Sequence, residues 1–311
     1  MTAPGVHRAR SSRRPHPGWW VALLALTAMA VAGVIYVTGR PGSPSTAGRA
    51  QPSPGPSNSP SPSPTPPATL APSTSSTAAS LLLRPGPVHI DTPGFWSWAL
   101  FDQRSGKIDG STNMAETSTT ASMIKAWIAA DFLRRSTERR QTPSSGRLAD
   151  ISTMIRDSNN VVADELFPQL GDDESIKRMM SICRLTDSAP YRDWWSNTTV
   201  SARDTARLAA CIADGRAAGP QWTDWLLDEM RHVRGGGNFG IRLALPDDVA
   251  ARTAIKNGWV ERSDGNWHVA CLAIGEGWTL GVLVRYPSRL GVGHGQTVCR
   301  LVAEQLVQTA P

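Results

Sequence analysis

The stretch TTASMIKAWIAADFLRR, residues 119–135, is the part of the sequence on which the fold depends. Its apolar residues Ile124, Ile128 and Phe132 recur at every fourth position, as they do on the buried face of a helix. The pattern predicts a helix over 122–135 that packs into the protein core.

A serine and a lysine stand one turn apart at the start of this predicted helix. A spacing of three residues puts Ser122 and Lys125 on the same helical face. An amine beside a hydroxyl can accept its proton and make the oxygen nucleophilic. We expect Thr119 or Thr120 to cap the helix. Taken alone, the pair is weak evidence of chemistry, because an exposed helical lysine is the simpler interpretation of Lys125.

Two further short motifs carry polar side chains at predicted bends. Ser158-Asn159-Asn160 lies between two predicted helices, and a hydroxyl and an amide two residues apart on a bend point to the same side. Lys256-Asn257-Gly258 stands at the end of a predicted strand. Each motif alone also fits an ordinary turn, because Ser, Asn and Asn-Gly are turn formers.

The remaining pattern gives the order strand, helices, strands, helix. Such an order predicts an α+β fold whose antiparallel sheet is built from N- and C-terminal strands that flank a helical region. The predicted strands are 95–102, 107–110, 251–256, 268–274 and 279–285, and the other predicted helices are 148–156, 161–167, 175–183, 201–214, 222–233 and 296–308.

The positive charge of the chain is confined to its N-terminal part. The chain has 311 residues and a formal net charge of +6, yet residues 1–80 hold six arginines and no Asp or Glu. The remaining 26 basic residues are balanced by 26 acidic ones. A basic footprint on a folded domain is therefore missing, and the composition gives no reason to expect nucleic-acid binding.

An apolar run without charged residues covers 19–37 and predicts a transmembrane signal anchor over 19–38. Because arginines precede the run, residues 1–18 are expected in the cytoplasm and the rest outside it. A cleaved signal peptide, with Ala30-Val31-Ala32 as its cleavage site, is the alternative and would give a secreted protein. Residues 39–84 are rich in Pro and Ser and predict a disordered linker, which leaves 85–311 as the folded domain.

The four cysteines all lie in the predicted exported domain, where disulfides are permitted. Three pairings of Cys183, Cys211, Cys271 and Cys299 are open. The histidines show no metal spacing, and we expect neither a metal nor a cofactor. A Gly-x-Gly-x-x-Gly run over 235–240 follows a predicted helix rather than a strand, so we interpret it as a flexible loop near the site and not as a dinucleotide motif.

Together and in this order, the three short motifs resemble the S-x-x-K, S-x-N and K-[TS]-G set of the penicillin-recognising serine hydrolases, which include class A β-lactamases and penicillin-binding proteins. The resemblance covers most of 88–311 and is to a membrane-anchored, actinobacterial type of member. It implies their fold, and a substrate that is a β-lactam or a peptidoglycan-type peptide.

The resemblance also implies a role for each matching residue. Ser122 would be the acylated nucleophile and Lys125 the base or proton relay. Ser158 would pass a proton to the leaving nitrogen, and Asn160 would hold Lys125 and a substrate carbonyl. Lys256 would bind the substrate carboxylate. The three residues Asn257, Gly258 and Trp259 would contact substrate, and the backbone N–H groups of Ser122 and Trp259 would form an oxyanion hole.

Two departures from the family pattern bear on the activity. Asn257 stands where the family has Thr or Ser, and the segment 185–197 contains Asp187 and Asp193 but no Glu for activating a deacylating water. Slow deacylation, or a peptidase-like activity, is therefore expected rather than rapid β-lactam hydrolysis. A catalytically silent module that binds cell-wall peptides, and an esterase of small substrates, are the alternatives. Tryptophans are core residues by default, and lining of the cleft is the alternative for Trp194, Trp195 and Trp259.

Overall fold

The computed structural model describes residues 83–307. The predicted cytoplasmic tail at 1–18, the anchor at 19–38 and nearly all of the linker at 39–84 lie outside the described residues. Within 83–307, no helix combines the length and the apolar character needed to cross a membrane.

Five antiparallel strands form the central sheet, as the sequence predicts. The strand order is β2 (Ile108–Gly110), β1 (Phe95–Asp102), β7 (Trp278–Pro287), β6 (Asn266–Gly275) and β5 (Ala254–Glu261). The first and last parts of the described chain therefore meet at the β1–β7 pair, where Phe95 lies opposite Arg285. Strand β5 is at the edge of the sheet, which leaves one side of its backbone free for other elements.

The helices follow the predicted order between β2 and β5. Two short strands, Thr117–Thr119 and Thr199–Ser201, form a small second sheet, β3 and β4. The helices are α1 (Lys125–Glu138), α2 (Ser145–Arg156), α3 (Asn160–Gln169), α4 (Asp173–Cys183), α5 (Ala202–Ala213), α6 (Thr223–Arg231), α7 (Asp247–Arg252) and, after the sheet, α8 (Val292–Leu306).

The sheet lies between the helical region and α8. Side chains alternate between the faces of a strand, so residues of opposite parity on β7 show what covers each face. A Cβ at Gly281 would meet Thr205 of α5, whereas Tyr286 packs against Gly295 of α8. The core is continuous across both layers, and α1 runs through its centre with nearly every residue of its first half buried.

Two disulfides join neighbouring elements and settle which of the three pairings the chain adopts. Cys183–Cys211 links α4 to α5, and Cys271–Cys299 links β6 to α8. Each bond closes a loop with a sequence separation of 28 residues. Loops of this length lower the entropy of the unfolded chain by an amount worth about 3–4 kcal/mol each.

Several predicted element ends differ by a few residues, and two of these predictions, both near the site, are wrong. The predicted strand at 251–256 instead begins at Ala254 and runs to Glu261, because Ala251 and Arg252 belong to α7. The third motif therefore lies inside a strand and not at its end. The predicted threonine cap is also absent: Thr120 makes no capping hydrogen bond, and a 3₁₀ turn over Ala121–Ile124 leads into α1.

Candidate functional site

Ser122 sits in the tight turn that opens the central helix. The turn spans Ala121–Ile124, and α1 begins directly after it at Lys125. Ala121 has a φ of 45°, in the left-handed region that few residues other than glycine adopt. Such strain persists only where surrounding contacts over-determine the backbone, and it is concentrated at functional sites. Ser122 itself is half-buried, and its hydroxyl contacts the Lys125 amine.

The Lys125 amine has a complete set of partners. Its Nζ lies 2.6 Å from the backbone oxygen of Ser158, 2.6 Å from Asn160 Oδ1 and 3.0 Å from Ser122 Oγ. The first two oxygens can only accept a hydrogen bond. A neutral amine has two N–H donors and one lone pair, so the two acceptors use the donors and the lone pair is left for the Ser122 hydroxyl.

Because Lys125 is buried, part of the population carries a neutral Lys125 amine near physiological pH. The side chain has no solvent-exposed surface. Burial lowers the pKa of Lys125 from 10.5 to about 8, against a smaller opposing effect of the Asp164 charge. With that pKa, about a tenth of the molecules carry a neutral amine at pH 7. The arrangement can therefore remove a proton from Ser122.

The second motif reaches this lysine from a strained bend between α2 and α3. Ser158 has a φ of 60°, and Asn159 caps α3 by accepting a hydrogen bond from the N–H of Val161 at 2.9 Å. The cap fixes the first residue of α3, Asn160, with its amide oxygen on Lys125. Sequence alone indicates a bend here, and the structure shows that the bend brings Ser158 and Asn160 to the same amine.

Lys256 approaches the same hydroxyl from the sheet. Its Nζ lies 3.0 Å from Ser158 Oγ, while Lys125 Nζ lies 3.4 Å from that oxygen. Burial first, and the positive charge of Lys125 second, lower the pKa of Lys256 well below its ordinary value. The Ser158 hydroxyl thus connects two buried amines and can pass a proton between them.

Gly258 lets the edge strand approach the nucleophile closely. A Cβ at this position would lie 2.2 Å from the backbone oxygen of Thr120 and 2.7 Å from the backbone nitrogen of Ser122. No side chain fits in that space. The next residue, Trp259, is half-buried and packs edge-on against Phe239, with ring centroids 5.5 Å apart.

Asn257 points to the other face of the strand. It pairs directly with Cys271, whose sulfur is bonded to α8, so both side chains lie on the α8 face. Its Nδ2 donates to the backbone oxygens of Gly237 and Phe239 at 3.0 and 2.8 Å. Both amide protons are therefore used inside the protein, and its substrate contact stays a prediction.

The glycine-rich run forms a packed wall beside the third motif. Two 3₁₀ turns cover Gly235–Gly237 and Gly240–Ala244. A Cβ at Gly240 would meet Cys299 at 2.9 Å, so the run is held between the Cys271–Cys299 disulfide and Asn257. The loop lies beside the third motif, as predicted, and its flexibility stays a prediction.

The opposite wall of the site is aromatic. The Trp195 ring lies over Lys125, with Nζ 4.9 Å from the ring centroid. Its indole nitrogen donates to Asp164 Oδ1 at 2.7 Å. The two acids of the 185–197 segment are not bonded to Lys125. Asp187 pairs with Arg203, and Asp193 accepts a hydrogen bond from the N–H of Asp173.

Two residues near the site have little or no signal in the sequence. Asp164 lies four residues after Asn160 on α3, so helical spacing puts it on the same face and would indicate it. Arg234 makes a bidentate ion pair with Asp157, next to Ser158, at 2.6 and 2.8 Å. The two residues are 77 positions apart in the sequence, so no local pattern indicates this ion pair. Among residues 83–307, no group of three acidic, histidine or cysteine side chains could hold a metal ion.

Comparisons with solved structures show the class of fold. The chain superimposes on the TLA-3 extended-spectrum β-lactamase with a TM-score of 0.57 and 15% identity, covering 70% of this chain and 95% of that one. It matches PBP-A with a TM-score of 0.53 and 20% identity, covering 69% and 91%. A class A β-lactamase from Mycobacterium abscessus gives 0.53 and 15%, covering 68% and 92%. The protein has the fold of the β-lactamase and penicillin-binding superfamily.

Curated relatives are more similar in sequence but match a smaller part of the chain. The protein named "Putative lipoprotein LppW" in Mycobacterium tuberculosis and in Mycobacterium bovis is 27% identical over 186 residues. That region is 58% of this chain and 59% of the relative, so the chain spans less than two thirds of the length of those proteins. No family model matches the chain.

Proposed function

We propose that the protein is a serine hydrolase of the β-lactamase and penicillin-binding class, acylated at Ser122 by a β-lactam or the amide of a D-alanyl peptide. One observation carries the proposal. The Lys125 amine has both of its donors on obligate acceptors at 2.6 Å and Ser122 Oγ at 3.0 Å. A lysine held in this way is a base for the serine hydroxyl rather than a surface cation.

In the proposed acylation, Ser122 Oγ bonds to the carbonyl carbon and its proton goes to Lys125. The carbonyl oxygen takes the charge and accepts from the N–H groups of Ser122 and Trp259. Loss of one such donor costs about 3 kcal/mol in related reactions. The C–N bond then breaks, and Ser158 gives its proton to the leaving nitrogen. Lys125 reprotonates Ser158, since their atoms lie 3.4 Å apart.

Lys256 and Asn160 hold the substrate in this proposal. Asn160 supports Lys125 with its oxygen, which leaves its amide N–H groups for a substrate carbonyl. Lys256 stabilises a substrate carboxylate when it is protonated. Because the Asn257 side chain lies on the other face of β5, the substrate can meet this residue only through its backbone.

We also propose where the reaction takes place. The relatives are named as lipoproteins, and a lipoprotein is anchored through a lipid on a cysteine. The first cysteine of this sequence is Cys183, deep in the folded part. The segment at 19–38 is our candidate for the anchor. It would leave 1–18 in the cytoplasm, 39–84 as a tether and the hydrolase domain at 85–311 outside the membrane.

Intact mass spectrometry of the purified full-length chain with benzylpenicillin tests this function. We expect one adduct of the mass of the drug on the wild-type chain and none on Ser122→Ala. The matched control is Ser105→Ala, in an exposed turn, which should label like the wild type. If the wild type neither gains mass nor consumes the drug, while Ser122→Ala binds cell-wall peptide as well as the wild type does, the protein is a silent binding module.

A further inference from the structure

The Trp195 ring covers one side of the Lys125 amine. Ser122, Ser158 and Asn160 occupy three directions around Nζ within 3.4 Å. The Trp195 ring covers a fourth, with its centroid 4.9 Å away. Trp195 is 8% exposed and Lys125 has no exposed surface. No water can therefore approach the amine from the indole side.

The backbone around Trp195 is fixed to the turn that carries the nucleophile. The oxygen of Thr198 accepts a hydrogen bond from the N–H of Thr120 at 2.9 Å, two residues before Ser122. Arg262 donates to the oxygen of Ser196 at 2.5 Å. These two bonds fix the backbone directly after Trp195, and the indole N–H is itself bonded to Asp164, so the position of the ring over Lys125 is built into the fold.

The same indole donates a hydrogen bond to the carboxylate whose charge acts on Lys125. Asp187 and Asp193 are bonded to Arg203 and to the N–H of Asp173, away from Lys125. Asp164 is the acidic residue whose charge acts on Lys125. One of its oxygens accepts the Trp195 indole N–H at 2.7 Å. With that bond made, this oxygen has a protein donor in place of a water.

We propose that Trp195 is a positioning residue that preserves the Ser122 acyl-enzyme, by excluding water from Lys125 and by holding Asp164 out of use as a base. The inference rests on the proposed function, since it requires an acyl-enzyme. Hydrolysis needs a water oxygen to bond to the acyl carbon while a base takes one of its protons. The bond between the acyl carbon and Ser122 Oγ then breaks, and the proton returns to Oγ.

The test measures how long the adduct survives after excess benzylpenicillin is removed, by intact mass of the full-length chain. Trp195→Ala should shorten the lifetime at least about tenfold, since an available general base contributes about 10²–10⁴ to such steps. Trp195→Phe keeps the cover over Lys125 but loses the indole N–H that Asp164 accepts, so its adduct lifetime should lie between those of the wild type and of Trp195→Ala. The double variant Trp195→Ala with Asp164→Asn should regain most of the lost lifetime. The matched control is Trp194→Ala, because Trp194 is 57% exposed.

The outcomes separate the inference from the function on which it rests. A wild-type chain that neither forms an adduct nor consumes the drug overturns the proposed function, whereas one that consumes the drug without a lasting adduct overturns the inference alone. An adduct that forms on Trp195→Ala and lasts as long as that of the wild type overturns the inference alone. If Trp194→Ala shortens the lifetime as much as Trp195→Ala does, the effect is not specific to the indole over Lys125, and the inference again fails. Only acylated molecules are counted, so a partly unfolded variant does not distort the lifetime.

Discussion

The two walls that flank Ser122 differ in what they can do. On one wall, α3 with the bend before it and strand β5 bring three polar side chains close to Ser122: Ser158 and Asn160 lie within 3.4 Å of the Lys125 amine, and Lys256 lies 3.0 Å from the Ser158 hydroxyl. On the other wall, the segment 185–197 presents the Trp195 indole and turns its carboxylates outward. The groups that form an acyl-enzyme are assembled, and a carboxylate to hydrolyse it is absent from the second wall. The proposed enzyme is thus better built to capture a substrate than to release it.

Removal of the proposed base on the first wall should slow acylation more than any other change around Ser122. Lys125→Ala deletes the amine that accepts the Ser122 proton, and we expect acylation by benzylpenicillin to slow by about 10³-fold. Lys177→Ala is the matched control, because Lys177 is exposed and pairs with Glu174 on α4. Rates come from the rise of the adduct mass with time. Equal rates for the wild type and Lys125→Ala would contradict the assignment of the base.

A methyl group at the third motif should separate β5 from the nucleophile. In Gly258→Ala the new Cβ would lie 2.7 Å from the nitrogen of Ser122, so the strand or the turn must move. A displacement of about 1 Å in an active site can cost about 10²-fold in rate, which is the loss we expect in acylation. Gly293→Ala, with no atom near its Cβ, should acylate normally. A Gly258→Ala variant that acylates at the wild-type rate would show that the close approach is unimportant.

Asn257 should matter for stability on the far side of the same strand. Asn257→Ala leaves two backbone oxygens, of Gly237 and Phe239, without their donors. We expect the free energy of unfolding to fall by about 2 kcal/mol in urea titrations. Asn238→Ala, exposed in the same loop, should change it little. Loss of acylation without loss of stability in Asn257→Ala would instead indicate a direct substrate contact.

The pH dependence of acylation should follow Lys125. The charged form dominates below its pKa of about 8 and has no lone pair, so the rate should rise with pH and level off above that value. The neutral fraction grows from about a tenth at pH 7 to about nine tenths at pH 9, which gives about a tenfold rise. Adduct formation by mass at half-unit pH steps measures it. A rate that is flat or falls over this range would contradict Lys125 as the base that accepts the Ser122 proton.

Local sequence patterns predict the elements of the acylation wall but not all of their ends. Strand β1 has the predicted bounds, Phe95–Asp102, because its aromatic run and the turn after it are local signals. The end of β5 was missed because Asn257-Gly258 is also a hairpin signal. The strand continues through it, since Gly258 packs against the turn at Ser122 rather than forming a turn itself.

The features that distinguish the second wall depend on contacts between distant parts of the chain. Trp195 and Lys125 are 70 positions apart, and no spacing rule relates them. The disulfide partners likewise follow from which helices lie side by side, so the sequence left three pairings open. The sequence alone shows that the segment 185–197 contains no glutamate. Only the structure shows that the Trp195 indole lies over Lys125.

Stopped-flow measurement with a chromogenic cephalosporin, at equal and at tenfold excess concentrations over the full-length chain, tests the contrast between the two walls most directly. The account predicts a burst of one equivalent of opened lactam per chain, absent in Ser122→Ala, followed by turnover at least about tenfold slower than the burst. Steady turnover without a burst would contradict it, because hydrolysis would then be at least as fast as acylation and the second wall would supply a base.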